Sequence, residues 1–274
     1  MTMTILAVLT DPRTAPATLA GAGAAAIDDT AIIEALHVRV DSEALILPTE
    51  EVMTKQRRAE LDAMLGERAR ALHDVFAAWS KASGGAASRA TWHEVAGAVA
   101  AEVAARGKQA DLLVLARPLD NEGRDALEAA IFATGRLFLL VPPDGAQPAL
   151  GHHMAIAWKP SDTAARAVVA ALPWLGRAAR ISILVAAKDA AGQAEQAKAL
   201  LAAHGIADAT IAVHAIADGR DESVGAALVA AARAAGADSL VLGAYRRHRF
   251  FEWVLGGVTH HVLHHADLPA FMLH

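Results

Sequence analysis

Residues 243–259 read GAYRRHRFFEWVLGGVT, and this stretch decides how the rest of the chain is interpreted. The apolar run Ser239–Leu242 before it predicts a buried strand, and Val258–Ala266 after it has the periodicity of a helix. Gly243 would therefore end a strand, and Gly256-Gly257 would begin a helix. Backbone N–H groups at a helix start can face a phosphate, and glycine lets the phosphate approach closely. The stretch therefore predicts an anion pocket.

Two copies of one pattern run through the chain. Residues 104–106 and 110–115 (AAR, ADLLVL) match residues 231–233 and 237–242 (AAR, ADSLVL), with one difference in the second segment. Strand-like and helix-like segments alternate on both sides of this match, which predicts parallel strand pairing in an open α/β sheet. A repeat this long predicts two domains of the same fold.

A segment rich in proline separates the two copies. Residues 142–148 read PPDGAQP, which is typical of a linker. We therefore expect one domain at residues 1–147 and a second at residues 148–274. The first copy is longer mainly because of a long helix that begins near Pro48.

The glycine spacing resembles the nucleotide signature of the universal stress protein (UspA) family. That signature is Gly-x2-Gly-x9-Gly-Ser/Thr, and Gly243 and Gly256 match its first and third glycines. Arg246 stands where the second glycine is usual, and Gly257 stands where Ser or Thr is usual. The first copy has Ala116-Arg117-Pro118 and no glycine signature at the same place. The chain thus resembles a tandem member of the family with a degenerate nucleotide motif.

The resemblance implies two tandem open sheets, each with five parallel strands and helices on both faces. This arrangement is Rossmann-like, or adenine nucleotide alpha hydrolase-like. ATP-binding members hold the nucleotide at the carboxyl ends of the strands, as open α/β sheets do in general. Carried onto this chain, the nucleotide-binding positions are Gly243, Arg246, Gly256, Gly257, Val258 and Thr259. The family also implies that the two copies pair through their last strands, Leu137–Val141 and Ala270–Leu273.

Several substitutions leave more than one function open. The position after the first strand, usually Asp or Asn in the family, is Lys159 in the second copy and Thr10 in the first. The Arg246 guanidinium could bind a phosphate bidentately, or it could fill the space that glycine leaves for the ligand. One hypothesis is a stress-response ligand-binding module with a nucleotide or anion site in the second domain. The alternative is a scaffold or interaction protein that does not bind ATP.

Enzymatic activity is a third hypothesis. Some relatives hydrolyse ATP weakly, but no residue here is an evident base, and we assign no catalytic residue. Gly21-Ala22-Gly23 fits a dinucleotide pattern, and Asp41 lies where a ribose partner would. The first glycine should follow its strand at once, whereas about ten residues intervene after Thr10. Close packing of a helix explains these glycines better than a nicotinamide cofactor does.

Four histidines form two i, i+4 pairs near the end of the chain. His260 with His264, and His261 with His265, have a spacing that can chelate a divalent metal. Neither pair encloses the glutamate of a metalloprotease motif. Exposure to solvent, or to a partner, explains the pairs equally well, and we assign no metal ligand.

Composition excludes several classes of function. The chain has no cysteine, which removes disulfides, thiol catalysis and thiolate metal sites. The net charge of -5 provides no general attraction for nucleic acid or for an anionic membrane. Residues 246–253 mix cations and aromatics as sites for single-stranded nucleic acid do, but they form one short loop. Met1–Leu9 lacks the basic residues of a secretory signal. We therefore expect a cytoplasmic protein, with a homodimer as a further possibility.

Overall fold

The computed structural model describes residues 2–40, 55–144, 150–207, 211–216, 221–244 and 257–274, apart from the side chains of residues 221–223. The chain divides into two compact units, Met1–Thr134 and Gly135–His274. The domain boundary predicted at residues 147–148 lies outside the described residues. The observed division comes earlier, before a strand that the sequence assigns to the first copy.

The first unit contains four parallel strands in the order β3-β2-β1-β4. Its elements are β1 Thr4–Val8, α1 Ala15–Ala25, β2 Ile32–Arg39, α2 Lys55–Ala82, β3 Thr91–Ala96, α3 Val99–Gly107, β4 Leu112–Ala116 and α4 Asn121–Phe132. Strands β1 and β4 are buried over almost their whole length because helices cover both faces of a parallel sheet. The edge strand β3 is instead partly exposed.

The second unit contains six strands in the order β5-β10-β9-β6-β7-β8. Its elements are β5 Leu137–Val141, β6 His153–Ala157, α5 Asp162–Ala170, α6 Leu172–Leu175, β7 Arg180–Val185, α7 Ala190–Ala203, β8 Ile211–Ala215, α8 Asp221–Ala234, β9 Ser239–Gly243, α9 Gly257–His265 and β10 Ala270–Leu273. Five of the strands are parallel, and β5 alone runs antiparallel to its neighbour, with Leu139 opposite Phe271. The expected pairing of the two last strands is confirmed.

The α/β fold class with parallel sheets is confirmed in both units, and most element bounds agree with the sequence pattern. The alanine-rich pattern of Val95–Arg106 predicts a helix from Val95, but α3 begins only at Val99, because Val95 belongs to β3 and pairs with Val38. The first described residue of the long helix α2 is Lys55, so its expected start near Pro48 lies outside the described residues. Among the described helices, none combines the length and the hydrophobicity needed to cross a membrane.

Each sheet reverses its strand order at one place. In the first unit the reversal lies between β1 and β4, and in the second unit it lies between β6 and β9. In open α/β sheets, ligands bind in the crevice outside the carboxyl ends of the strands at such a switch point. The topology therefore predicts that the residues following these four strands would line a ligand site.

Candidate functional site

Gly243 is the last residue of β9, at the switch point of the second unit. A Cβ atom at this position would lie 2.8 Å from the backbone nitrogen of Ala164 and 2.9 Å from the carbonyl carbon of Thr163. Real Cβ atoms do not approach backbone atoms so closely. The amino end of α5 therefore packs directly on the backbone of Gly243. This packing requires glycine at position 243 whether or not a ligand binds.

The start of α5 is fixed by its capping residue. Ser161 accepts a hydrogen bond from the backbone N–H of Ala164 at 3.2 Å, which satisfies one of the free donors of the first turn. The helix begins at Asp162, so its first turn lies against the end of β9. The neighbouring Lys159, which replaces the usual Asp or Asn of the family, is exposed.

Gly257, Val258 and Thr259 are the first described residues of α9. The backbone N–H groups in the first turn of a helix have no acceptor within that helix, and the helix dipole makes this end positive. Gly257 and Thr259 are buried, and Val258 is half-buried. The helix predicted after Gly256-Gly257 is present, and Gly257 is its first described residue. Arg246 and Gly256 lie outside the described residues, and the two interpretations of Arg246 both stay open.

Helix α9 is held in place by α8. A Cβ atom at Gly225 would lie 2.5 Å from Cβ of His261 and 3.2 Å from the carbonyl oxygen of Gly257. The absence of a side chain at Gly225 therefore lets the first two turns of α9 lie against α8. The position of the α9 amino end depends on this contact.

Trp158 lies directly after β6 and is 6% exposed. Its backbone N–H donates to the carbonyl oxygen of Leu184 at 2.9 Å, but its buried indole Nε1 has no hydrogen-bond partner among the described residues. A buried donor without a partner costs about 1–3 kcal/mol. Sequence reasoning does not identify this buried donor, because its environment comes from residues distant in sequence.

The corresponding crevice of the first unit is occupied by a charged side chain. Arg68 of α2 donates from Nε to the carbonyl oxygen of Thr10 at 2.7 Å, and its Nη2 forms an ion pair with Asp120. Its Nη1 donates to Oε1 of Glu122 at 3.2 Å. Asp120 also caps α4 by accepting from the N–H of Gly123 at 2.8 Å. Sequence reasoning missed Arg68, because nothing distinguishes it from other arginines of a long helix.

Burial and charge act in opposite directions on Glu122 in this cluster. Burial raises the pKa of Glu122, and the nearby carboxylate of Asp120 raises it further, whereas the Arg68 guanidinium lowers it. The pKa of the neighbouring Asp11 is lowered, mainly because Arg13 donates hydrogen bonds to its carboxylate.

A second buried polar group lies at the opposite end of the second sheet. His153 begins β6, and its Nε2 lies 2.9 Å from Oγ of Ser182, which is 3.3 Å from Nε2 of His214. Burial lowers the pKa of His153. His153 lies at the amino end of β6, away from the switch-point crevice, and Ser182 is fully buried.

The other residues singled out in the sequence occupy helices. The ring centroids of His260 and His264 are 4.4 Å apart, and those of His261 and His265 are 5.0 Å apart. Within the described part of the chain, no three metal-ligating side chains gather at one point. Gly23 lies inside α1, where a Cβ atom would lie 3.3 Å from the ring of Trp79. This glycine serves helix packing, and it does not form a strand-to-helix turn.

Comparison with known proteins gives the family of the second unit. Residues 144–274 match the model of the Universal stress protein family. Residues 144–274 belong to the universal stress protein family. This universal stress protein domain includes the crevice between β6 and β9 and the whole of α9. No functionally curated protein matches the chain.

Solved universal stress proteins share the fold of the whole chain. One from Archaeoglobus fulgidus DSM 4304 superposes with a TM-score of 0.64 at 14% identity, covering 98% of this chain and 95% of its own. A putative universal stress protein from Pseudomonas aeruginosa UCBPP-PA14 gives a TM-score of 0.56 at 15% identity, covering 99% of this chain and 93% of its own. At sequence identities this low, the comparison shows that the proteins share a fold.

Proposed function

We propose that this chain is a cytoplasmic stress-response protein whose universal stress protein domain binds an anionic ligand, such as the phosphates of ATP. The site would lie at the amino end of α9, with Gly257 and Val258 as backbone donors. The supporting observation is that α9, whose first described residue is Gly257, lies in the unit whose switch-point strand ends at Gly243. Arg246 and Gly256 would complete the site, with Arg246 as the cation that neutralises the phosphate.

Thr259 is only 6% exposed, and Gly257 is buried as well. The proposed anion binding rests on the backbone N–H groups and not on the Thr259 hydroxyl, because backbone donors need only a helix end and no particular side chain. The replacement of the usual Ser or Thr by Gly257 fits this requirement.

A second candidate function is a scaffold or interaction protein that does not bind ATP. The packing at Gly243 favours it, because the helix α5 requires this glycine even in the absence of any ligand. One of the two glycines that match the family signature is thereby explained by the fold. In this alternative, Arg246 fills the space that the lost glycine would have left to the nucleotide.

Thermal unfolding with magnesium ATP separates the two candidates. A ligand present at a hundred times its Kd stabilises the folded state by about 2.7 kcal/mol, so bound ATP should raise the melting temperature. The ligand-binding proposal expects this shift at millimolar ATP, and it expects Arg246→Ala to reduce the shift. Arg177→Ala, at an exposed position of the same unit, serves as the matched control. No shift in the wild-type protein, together with a shift in Arg246→Gly, would support the scaffold candidate.

A further inference from the structure

The crevice of the first unit lies where its strand order reverses, outside the carboxyl ends of β1 and β4. Thr10 follows β1, and Asp120 stands between β4 and the first turn of α4. This is the place where an open α/β sheet offers a ligand site. The residues at this place therefore determine which ligand chemistry the first unit accepts.

The oxygen atoms at this place converge on one guanidinium group. The carbonyl oxygen of Thr10 accepts from Nε and Nη2 of Arg68, and the carboxylate of Asp120 pairs with Nη2. Both carboxylate oxygens of Glu122 lie 3.2 Å from Arg68 nitrogens. The side chain of Arg68 is 24% exposed, and that of Glu122 is 16% exposed, so the cluster is largely removed from solvent.

The charge of this crevice is opposite to that of a phosphate site. Two carboxylates and a carbonyl oxygen present acceptors only, and the planar guanidinium presents donors only. Asp120 already accepts from the N–H of Gly123 at the amino end of α4. A carboxylate of the chain thus takes the position at a helix start that a phosphate occupies in anion sites.

We propose that the first-unit crevice is a guanidinium-binding site and that the chain's own Arg68 occupies it, which closes this unit to phosphate-bearing ligands. Arg68 belongs to the long helix α2, so the same contacts fasten α2 to the ends of β1 and β4. This site is independent of the anion site proposed in the second unit. Loss of one would leave the other unchanged.

Chemical rescue of Arg68→Ala with methylguanidinium tests the proposal. The variant should melt at a lower temperature than the wild-type protein, because its acceptors lose their cation. Millimolar methylguanidinium should raise the melting temperature of the variant by several degrees and leave that of the wild-type protein unchanged. Arg57→Ala removes an exposed arginine of the same helix, 77% exposed beside Glu60, and should show no rescue. Methylammonium, which lacks the planar fork, should rescue less.

Two further measurements test the proposal even if Arg68→Ala is unstable. If Arg68→Ala is largely unfolded, methylguanidinium should raise its folded fraction, measured by circular dichroism. Adding Glu122→Gln to Arg68→Ala should weaken the rescue severalfold, since one carboxylate is neutralised.

The proposal is overturned if methylguanidinium rescues Arg57→Ala equally well, or if it rescues neither variant. It is also overturned if inorganic phosphate, and not methylguanidinium, stabilises Arg68→Ala. The response of the second unit to ATP should be the same in Arg68→Ala and the wild-type protein.

Discussion

Two glycines of the chain differ in the space around them. Gly243 lies against the backbone of α5, so an alanine there would force the helix away from the strand. Gly66 lies within α2, and a Cβ atom at this position would meet nothing within 4 Å. The family signature explains Gly243 by a ligand, whereas the contacts explain it by packing alone.

We therefore predict opposite effects for alanine at the two positions. Gly243→Ala should lower the free energy of unfolding by about 1–3 kcal/mol, the usual range for overpacking. Gly66→Ala should raise it by up to about 1 kcal/mol, because alanine favours a helix interior. Urea denaturation measures both. An unchanged free energy of unfolding in Gly243→Ala would show that α5 does not press on β9 as described.

His37 gives the stability of the first unit a dependence on pH. The residue is 3% exposed, its Nδ1 lies 3.1 Å from the carbonyl oxygen of Leu9, and its ring stacks on Trp92. Burial lowers its pKa below the ordinary value of 6.5, against the smaller opposing effects of the carbonyl oxygen and of Glu94. The folded state thus prefers the neutral ring, so its stability is complete above pH 6.5 and falls as the pH drops below that value.

A histidine variant should flatten this dependence. Between about pH 7.5 and about pH 5.5, His37→Gln should lose less stability than the wild-type protein, by up to about 1.4 kcal/mol for each pH unit. Denaturation curves across this range give the slopes. His152→Gln, at an exposed position, is the control and should keep the wild-type slope. Identical slopes for His37→Gln and the wild-type protein would contradict the burial of a neutral ring.

At the scale of elements, the amino end of α9 depends on how α9 packs against α8. Gly225 is the contact point, because its missing side chain makes room for Cβ of His261. Gly225→Ala should destabilise the second unit by about 1–3 kcal/mol and displace the start of α9. Hydrogen exchange should show faster exchange of the amides of residues 257–265. Unchanged exchange rates there would mean that α9 is positioned by other contacts.

The sequence predicts elements well where periodicity and the repeat agree, as at β4 and β9. It does not predict that α3 begins only at Val99, since the pairing of Val95 with Val38 keeps that segment in the sheet. The glycine spacing locates the end of β9 and the start of α9. It does not reveal Arg68 or the unpaired indole of Trp158, because these depend on neighbours far away in sequence that no local pattern encodes.

At the scale of the whole molecule, the position of β5 in the structure differs from the position that its place in the sequence predicts. It follows the last helix of the first copy, yet it pairs with β10 and belongs to the second compact unit. The prediction of two similar copies therefore holds for the order of elements, whereas the division of the structure falls before β5. An edge strand left without this partner would expose unpaired backbone groups.

Two fragments test this assignment of β5. A fragment of residues 135–274 should unfold in one cooperative transition. A fragment of residues 148–274, which lacks β5, should be less stable, because β10 loses the partner strand with which it pairs. Thermal unfolding compares the two fragments. Equal stability would show that β5 contributes nothing to the second unit.

The most direct test of the account is hydrogen exchange of the full chain with and without magnesium ATP, because it reports both crevices at once. We expect slower exchange at residues 257–259 and at the end of β9. We expect no change at residues 118–124 of the first unit, where Arg68 already occupies the crevice. Protection in the first unit, or no protection anywhere at millimolar ATP, would contradict an anion site confined to the universal stress protein domain.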